Sequence, residues 1–466
     1  MPRSDDVTDT SSKAPTEPQD ITTLPRVLGQ FDAVAIVVGS IIGSGIFLKA
    51  DTVARALHSV GPILGVWLGI GLVTLCGSLA LAELAAMLPR AGGPFVYLHE
   101  AYGRFPAFLW GWTEFWVVRT GSIGALACAT AIYLAKVVPM GHWPQGATAI
   151  AIVIGLSVIN VLSTRWGAGV QIVTSVIKVG FLASLLLIPL LFGKTSVGNL
   201  SPVWPETTDF DFLKGLGAAV LAVLWPYDGW INIAPVAEEI REPQRNLPRG
   251  LALGMLIVIL VYAGANLSYH LVLPMTEVEG SSAIASDVYR VLFGTTGVNV
   301  AALGVMCSTF GAVNSNMLTG PRIYFAMARD GLLPRSLNKV HVSFQTPSNA
   351  IIVQCIWTTI LLIVFYAWKD DPKKAFDGLT DSVILGGLIF YGMTVGAVYV
   401  LRRTHPDLPR PYRTWGYPIT PALMLIVYAA VFIYTLITEW QQSSAVLALI
   451  ASGSLYYKWA NSRVRK

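Results

Sequence analysis

The chain has 466 residues, of which 54% are hydrophobic and 13% charged, with a mean hydropathy of +0.60. Average soluble domains carry about 25% charged residues, so this composition excludes an ordinary soluble protein. The formal net charge of +5 comes from Lys and Arg dispersed along the chain, not gathered on one element, which argues against a nucleic-acid partner.

The first 25 residues (MPRSDDVTDTSSKAPTEPQDITTLP) are polar and contain no apolar core segment, so they do not read as a cleaved signal peptide. A disordered cytoplasmic tail over 1–27 is expected. Apolar runs of about 20 or more residues then recur along the chain, each able to cross a hydrocarbon core of roughly 30 Å. Twelve spans are predicted, near 29–58, 62–88, 105–135, 146–164, 167–193, 211–241, 246–273, 293–328, 347–368, 375–402, 416–437 and 442–461. The third, sixth and eighth are long enough to tilt or to extend beyond the bilayer. The fold class is therefore an all-α polytopic membrane protein. Cys76, Cys128, Cys307 and Cys355 lie inside apolar runs without metal-ligand spacing and read as buried small hydrophobes.

Basic residues set the expected orientation. With the N-terminus inside, the cytoplasmic connections hold Arg90, Arg104, Arg165, Arg241, Arg245, Arg249, Arg322, Arg329, Arg335, Arg402, Arg403, Arg410 and Arg413. The outer loops are sparser, with a mixed cluster of Lys369, Lys373 and Lys374 beside Asp370 and Asp371. Both termini are expected in the cytoplasm.

Two spans carry the same anomaly. The first contains GSIIGSGIF (39–47), with three glycines where a helix interior disfavours them by roughly 1 kcal/mol each. The sixth runs apolar to Leu224, meets WPYDGW (225–230), and resumes as INIAPVAEEI. Pro226 removes a helix donor and is expected to break the span. Five is odd, so equivalent helices of two five-span units run in opposite directions, the pattern of an inverted repeat with discontinuous helices around a central site. The expected division is 28–195 for the first repeat, 196–404 for the second, and 405–466 for two further spans and a short tail.

A break frees N–H groups at one half-helix and carbonyls at the other. The N–H groups of Ser44, Gly45 and Ile46, beside Gly43, suit a carboxylate. The carbonyls around Leu224–Tyr227 suit an ammonium, and Trp225 and Tyr227 are placed to cover a bound molecule. A zwitterionic amino acid offers both charges. Taken alone, the Gly43-Ser44-Gly45 stretch also fits close helix packing.

GSIIGSGIF, LAELAAMLPRAGGPFVYLHEAYG (81–103), TEFWVVR (113–119), YDGWINIAPVAEEIREPQRNLPRG (227–250), FGAVNSNMLTGPRIYFAMARDGLLP (310–334) and HPDLPRPYRTWGYPITP (405–421) resemble the amino acid–polyamine–organocation superfamily. The likeness is greatest to its L-type amino acid transporter branch and bacterial relatives, and it covers nearly everything after residue 27. It implies the five-plus-five inverted-repeat (LeuT-like) fold, with helices 1 and 6 discontinuous, and alternating access. The residues matched to the binding motifs are Ile41, Gly43, Ser44 and Gly45 on the carboxylate side, and Trp225, Tyr227, Asp228 and Gly229 at the second break. The branch usually has Phe or another aromatic at the place of Trp225, a small residue at that of Pro226, and often Gly at that of Asp228. A bulkier lid and a stiffer break favour small or medium side chains. Eukaryotic L-type members are tethered to a heavy chain through a cysteine after span 3; VVPMGHWPQG here has none, so no disulfide-linked subunit is expected.

Lys178 lies about twelve residues into span 5, where a charge costs at least about 2.5 kcal/mol and marks function by default. The resemblance implies that it replaces a sodium ion bridging spans 1 and 8, bonding freed carbonyls of span 1 and a polar group of span 8 near Ser308. A structural strut is the alternative. Glu83, Glu114 and Arg119 also lie within spans. Five residues apart, Glu114 and Arg119 are too far round an α-helix for a good pair, so partners on other helices are expected. Glu238 and Glu239 suggest a cytoplasmic gate or solvated ion pairs with Arg241 and Arg245. Asp228 is read either as a substrate or proton group or as a cap of the broken helix.

The expected function is a sodium-independent secondary transporter of L-amino acids, neutral by default, in the plasma (bacterial inner) membrane, working by exchange or proton symport. A polyamine, amine or cationic amino acid carrier remains open because of Asp228, and a non-transporting sensor shares the same breaks. No catalytic, metal or cofactor motif is present, and the six His are scattered, so no enzyme activity is expected. The expected partners are a small amino acid substrate and membrane lipid.

Overall fold

The computed structural model describes residues 26, 28–90, 92–162, 164–339, 341 and 346–464. The expected tail at 1–27 thus lies outside the described residues except for Arg26, as do the terminal Arg465 and Lys466.

The first broken span comprises α1 (Gln30–Ile41), the single turn α2 (Gly45–Leu48) and α3 (Ala50–Leu57). There follow α4 (Val60–Met87), the short α5 (Pro94–Tyr102), and a long third span of α6 (Arg104–Thr113), a π-helical turn (Glu114–Arg119) and α7 (Thr120–Val137). Helices α8 (His142–Leu162) and α9 (Thr164–Leu191) complete the first half. The second broken span is α10 (Phe210–Tyr227) followed by a 3₁₀ segment (Trp230–Glu239). After it come α11 (Pro243–Val272), the short α12 (Met275–Gly280), α13 (Ile284–Arg329), α14 (Ser348–Trp368), α15 (Pro372–Thr404), α16 (Ile419–Thr438) and α17 (Trp440–Val464).

Ten of these helical stretches are long and apolar enough to cross a bilayer; the predicted fifth and twelfth spans correspond to α9, with a shorter apolar stretch at Val176–Leu191, and α17. The chain is a polytopic, all-helical membrane protein. Its boundaries follow local chemistry. Asp209 caps α10 by accepting from the Phe212 N–H at 3.0 Å, and Asp371 accepts from the N–H groups of Lys373 and Lys374 ahead of Pro372. The eighth span begins nine residues before its expected limit, because α13 continues through a kink at Gly294, whose φ is +61°.

Burial orders the helices. The third span has 94% of its apolar window buried and forms the centre, whereas α16 has 28% and lies at the rim. Around that centre α7 packs on α13 and α15, α13 on α9, and α1 on α11. Of the cysteines only Cys128 is fully buried; Cys76, Cys307 and Cys355 are partly buried.

Candidate functional site

The two breaks lie against each other at the centre of the molecule. Helix α1 ends at Ile41, Ile42 is extended, and α2 restarts at Gly45. In the sixth span Pro226 is not the break. It sits inside the last turn of α10, which Asp228 closes by donating its N–H to the Trp225 carbonyl at 3.0 Å. The chain turns at Gly229, with φ +102°. Proline blocks a helix through the N–H it lacks and the turn before it, whereas glycine releases the backbone at its own position.

The glycines at the breaks do different work. A Cβ on Gly45 would lie 2.6 Å from Pro226 Cα, and one on Gly229 would lie 2.6 Å from the Ser40 carbonyl oxygen. Each glycine therefore admits the backbone of the other broken span. Gly43 has ordinary space, its nearest such neighbour being Leu126 at 3.4 Å, and it lines a cavity. Close packing and an open site are thus both present, at different residues of one motif.

Unwinding in lipid requires that the freed backbone groups be satisfied by the protein. Lys178, fully buried, donates from Nζ to the carbonyls of Gly39 and Ile42, each at 3.0 Å. The Tyr262 hydroxyl lies 3.1 Å from Ile41 O and 3.0 Å from Pro226 O, sharing its proton between the two broken ends. Tyr133 donates to Phe47 O at 3.2 Å and Tyr269 to Ile46 O at 3.4 Å. The expected partner of Lys178 on the eighth span is not engaged: Ser308 Oγ is buried without a hydrogen bond, because the two carbonyls already direct the ammonium toward span 1. The first intrahelical bonds of α2 run from Phe47 and Leu48 to Ser44 O, at 3.1 Å each, which leaves the Ser44, Gly45 and Ile46 N–H groups at its start.

The cavity between the breaks has about 30 Å³ of room for water-sized spheres, enough for a couple of water molecules. Of the sequence candidates, Ile41, Gly43, Ser44, Gly45, Trp225, Asp228 and Gly229 line it, and Ile46 and Tyr227 do not. Ile46 packs into the core. Tyr227 turns away, donating to Trp67 O at 2.9 Å and meeting the Trp67 ring at a tilt and the Tyr262 ring edge-on, because the last turn of α10 carries its side chain to the opposite face from Trp225. Of the carbonyls expected for an ammonium, Trp225 O already holds the Asp228 N–H, and Pro226 O faces Tyr262. Trp225 donates from Nε1 to Ser44 Oγ at 3.2 Å and sets its ring edge-on to Phe376 at 6.2 Å, joining both breaks to α15. Asp228 Oδ1 is buried without a hydrogen-bond partner, while the carboxylate also interacts with the Gly229 N–H at the turn and with the Tyr391 hydroxyl, so a local capping role and a free acceptor oxygen are both present.

Six lining residues were not singled out from the sequence: Ser40, Leu126 and Ala312, and the polar Ser122, Asn232 and Asn316. Single polar residues in long apolar helices carry little signal, although TEFWVVR and FGAVNSNM contain or adjoin two of them. Asn232 and Asn316 are tied together by Arg119. This guanidinium is buried and pairs with Glu114, Nε donating to Oε1 at 2.8 Å. The expectation that five residues separate them too far fails because the segment is a π-turn, in which i and i+5 share a face. Arg119 also donates to Asn316 Oδ1, and to Asn232 Oδ1 at 3.2 Å.

The remaining charges lie toward the two ends. Lys49, at the end of α2, is 1% exposed and bonds Asp377 at 2.8 Å and Asp381 at 3.4 Å on α15; Lys373 reaches Asp51 at 3.5 Å and Asp377 at 3.0 Å. At the other end Glu239 faces Arg322 of α13 at 3.8 Å, not Arg241 or Arg245, and Arg245 faces Glu242 at 3.9 Å. The 3₁₀ geometry turns Glu239 toward α13. There, too, Leu28 pairs with the end of the sixth span: its N–H donates to Glu239 O at 3.0 Å, and its carbonyl accepts from Arg241 at 2.7 Å. Glu83 accepts from Arg402 at 2.9 and 2.7 Å and from Thr414, an inter-helix anchor of the kind expected.

Comparison with known proteins extends this picture. Residues 28–454 match the family model described as amino acid permease. The serine/threonine exchanger SteT of Bacillus subtilis is 33% identical over 439 residues, covering 93% of this chain and 97% of the relative. The b(0,+)-type amino acid transporter 1 of Mus musculus is 31% identical over 448 residues, 94% of this chain and 88% of the relative. The large neutral amino acids transporter small subunit 2 of Mus musculus is 31% identical over 448 residues, 93% of this chain and 81% of the relative.

Proposed function

Because the chain belongs to the amino acid permease family, we propose that it is a sodium-independent exchanger of neutral L-amino acids in the plasma (bacterial inner) membrane. The observation that carries this reading is Lys178, whose ammonium holds the Gly39 and Ile42 carbonyls at the break, where a bound cation would otherwise be needed. The Ser44 and Gly45 N–H groups, on residues that line the cavity, receive the substrate carboxylate, and Trp225 forms the lid. Exchange is favoured over proton symport because the Bacillus relative is a serine/threonine exchanger. Alternating access moves the two five-helix repeats about this centre, with both termini in the cytoplasm.

Asp228 motivates a second reading, in which its unpartnered oxygen takes a cationic side chain or an amine. Counterflow in proteoliposomes separates the two. Labelled serine, leucine, lysine and putrescine are offered with sodium or choline outside and unlabelled amino acid inside. The first reading expects neutral amino acid uptake that needs internal amino acid and ignores sodium. Uptake of lysine or putrescine alone, lost in Asp228→Asn, favours the second; no uptake of any compound rejects both.

A further inference from the structure

The amides of Asn232 and Asn316 face the cavity, and their orientation decides what they can bind. An arginine has five N–H donors and no acceptor. The atom each asparagine turns to Arg119 is therefore its carbonyl oxygen, whatever ambiguity an amide otherwise carries. Asn316 spends one N–H on Ala312 O at 2.9 Å, which leaves one; Asn232 retains both. Three N–H groups on two amides are thus left for the cavity. Acceptors line the same cavity. Ser122 spends its proton on Val118 O at 2.7 Å and can then only accept, and Asp228 Oδ1 has no partner.

We propose that Arg119, held by Glu114 across the π-turn, is a positioning residue that fixes the hydrogen-bond polarity of the side-chain subsite, and that this subsite takes a side-chain hydroxyl. A hydroxyl accepts from the asparagine amides while donating to Ser122 or Asp228. A side-chain ammonium meets the amide donors with nothing to offer them, and a carboxylate meets Asp228. An apolar side chain leaves the buried donors and acceptors unpaired, which a polar site penalises more than a greasy one penalises an extra methylene. This inference rests on the transport reading above and refines its substrate.

The test compares serine with alanine, which differ by the hydroxyl alone. With full-length protein in proteoliposomes, serine is expected to exceed alanine about tenfold in uptake efficiency, the scale of one well-made hydrogen bond. Asn232→Asp keeps an acceptor for Arg119 but loses both donors to the cavity, so serine uptake is expected to fall more than alanine uptake and the ratio to move toward one. Arg119→Lys keeps the charge but cannot reach Glu114 and both asparagines at once, and the same collapse is expected. A merely structural role lowers both substrates together and leaves the ratio unchanged. Equal serine and alanine uptake by the wild type, or an unaltered ratio in Asn232→Asp, overturns the inference while leaving amino acid exchange intact. Loss of folding in Arg119→Lys, read by its melting curve, leaves Asn232→Asp to decide. A wild type that carries no amino acid overturns both readings.

Discussion

Lys178 reconciles a buried charge with a broken helix. Two carbonyls and one ammonium are each costly alone in a dry interior; together they satisfy one another. Lys178→Met removes the donor and leaves two buried carbonyls unpaired, at about 1–3 kcal/mol for each. Expected results are a lower melting temperature of the detergent-solubilised protein and loss of exchange. Unchanged melting and uptake would show that the first break does not depend on this lysine. Residue-scale logic of the same kind governs Tyr262, which closes one carbonyl from each break with a single hydroxyl. The break is thus completed by side chains from α9 and α11, elements remote from it in the chain.

At the scale of elements, the two interrupted spans act as a pair because glycine lets them touch twice, at Gly45 with Pro226 and at Gly229 with Ser40. The neighbours at these contacts are main chain or proline ring, which cannot swing aside. Gly45→Ala should therefore lower the melting temperature and abolish exchange. Gly43→Ala is the informative contrast: ordinary contact awaits its Cβ, so melting should stay close to wild type while the cavity loses room and uptake falls. Equal melting of the two variants would refute the division of labour between the glycines. The π-turn is the other device at this scale. One residue added to a turn puts Glu114 and Arg119 on one face and aims the guanidinium at α13 and the sixth span.

For the whole molecule, polar contacts between elements flank the cavity toward both ends. On the side proposed as outer, Lys49 joins the end of the first broken span to α15, and Phe376 stands between that ammonium, 5.4 Å from its ring, and the lid Trp225. On the inner side Leu28 is zipped to the end of the sixth span. Opening outward must separate Lys49 from Asp377 and Asp381. Removing one partner of a buried pair strands the other, so Lys49→Met should favour the outward-open form. With Ser122→Cys as a reporter in a background without other reactive cysteines, a membrane-impermeant thiol reagent is expected to label Lys49→Met faster than the parent. Equal labelling rates would exclude the cluster from gating.

The membrane class, the long apolar spans and the site of both breaks were legible in the chain alone, because hydropathy and glycine–proline chemistry are local. Lys178 was legible too, since a charge in an apolar run is conspicuous wherever it points. The turn geometry at Asp228–Gly229, the outward swing of Tyr227 and the π-turn were not, because each depends on a shift of one residue in backbone phase. Nor were Asn232, Asn316 and Ser122 recognisable as neighbours. Sequence determined that this is a helical membrane protein interrupted twice at its core. Tertiary structure alone decided which groups face the cavity and with which atom, because hydrogen-bond direction is set by partners more than a hundred residues apart.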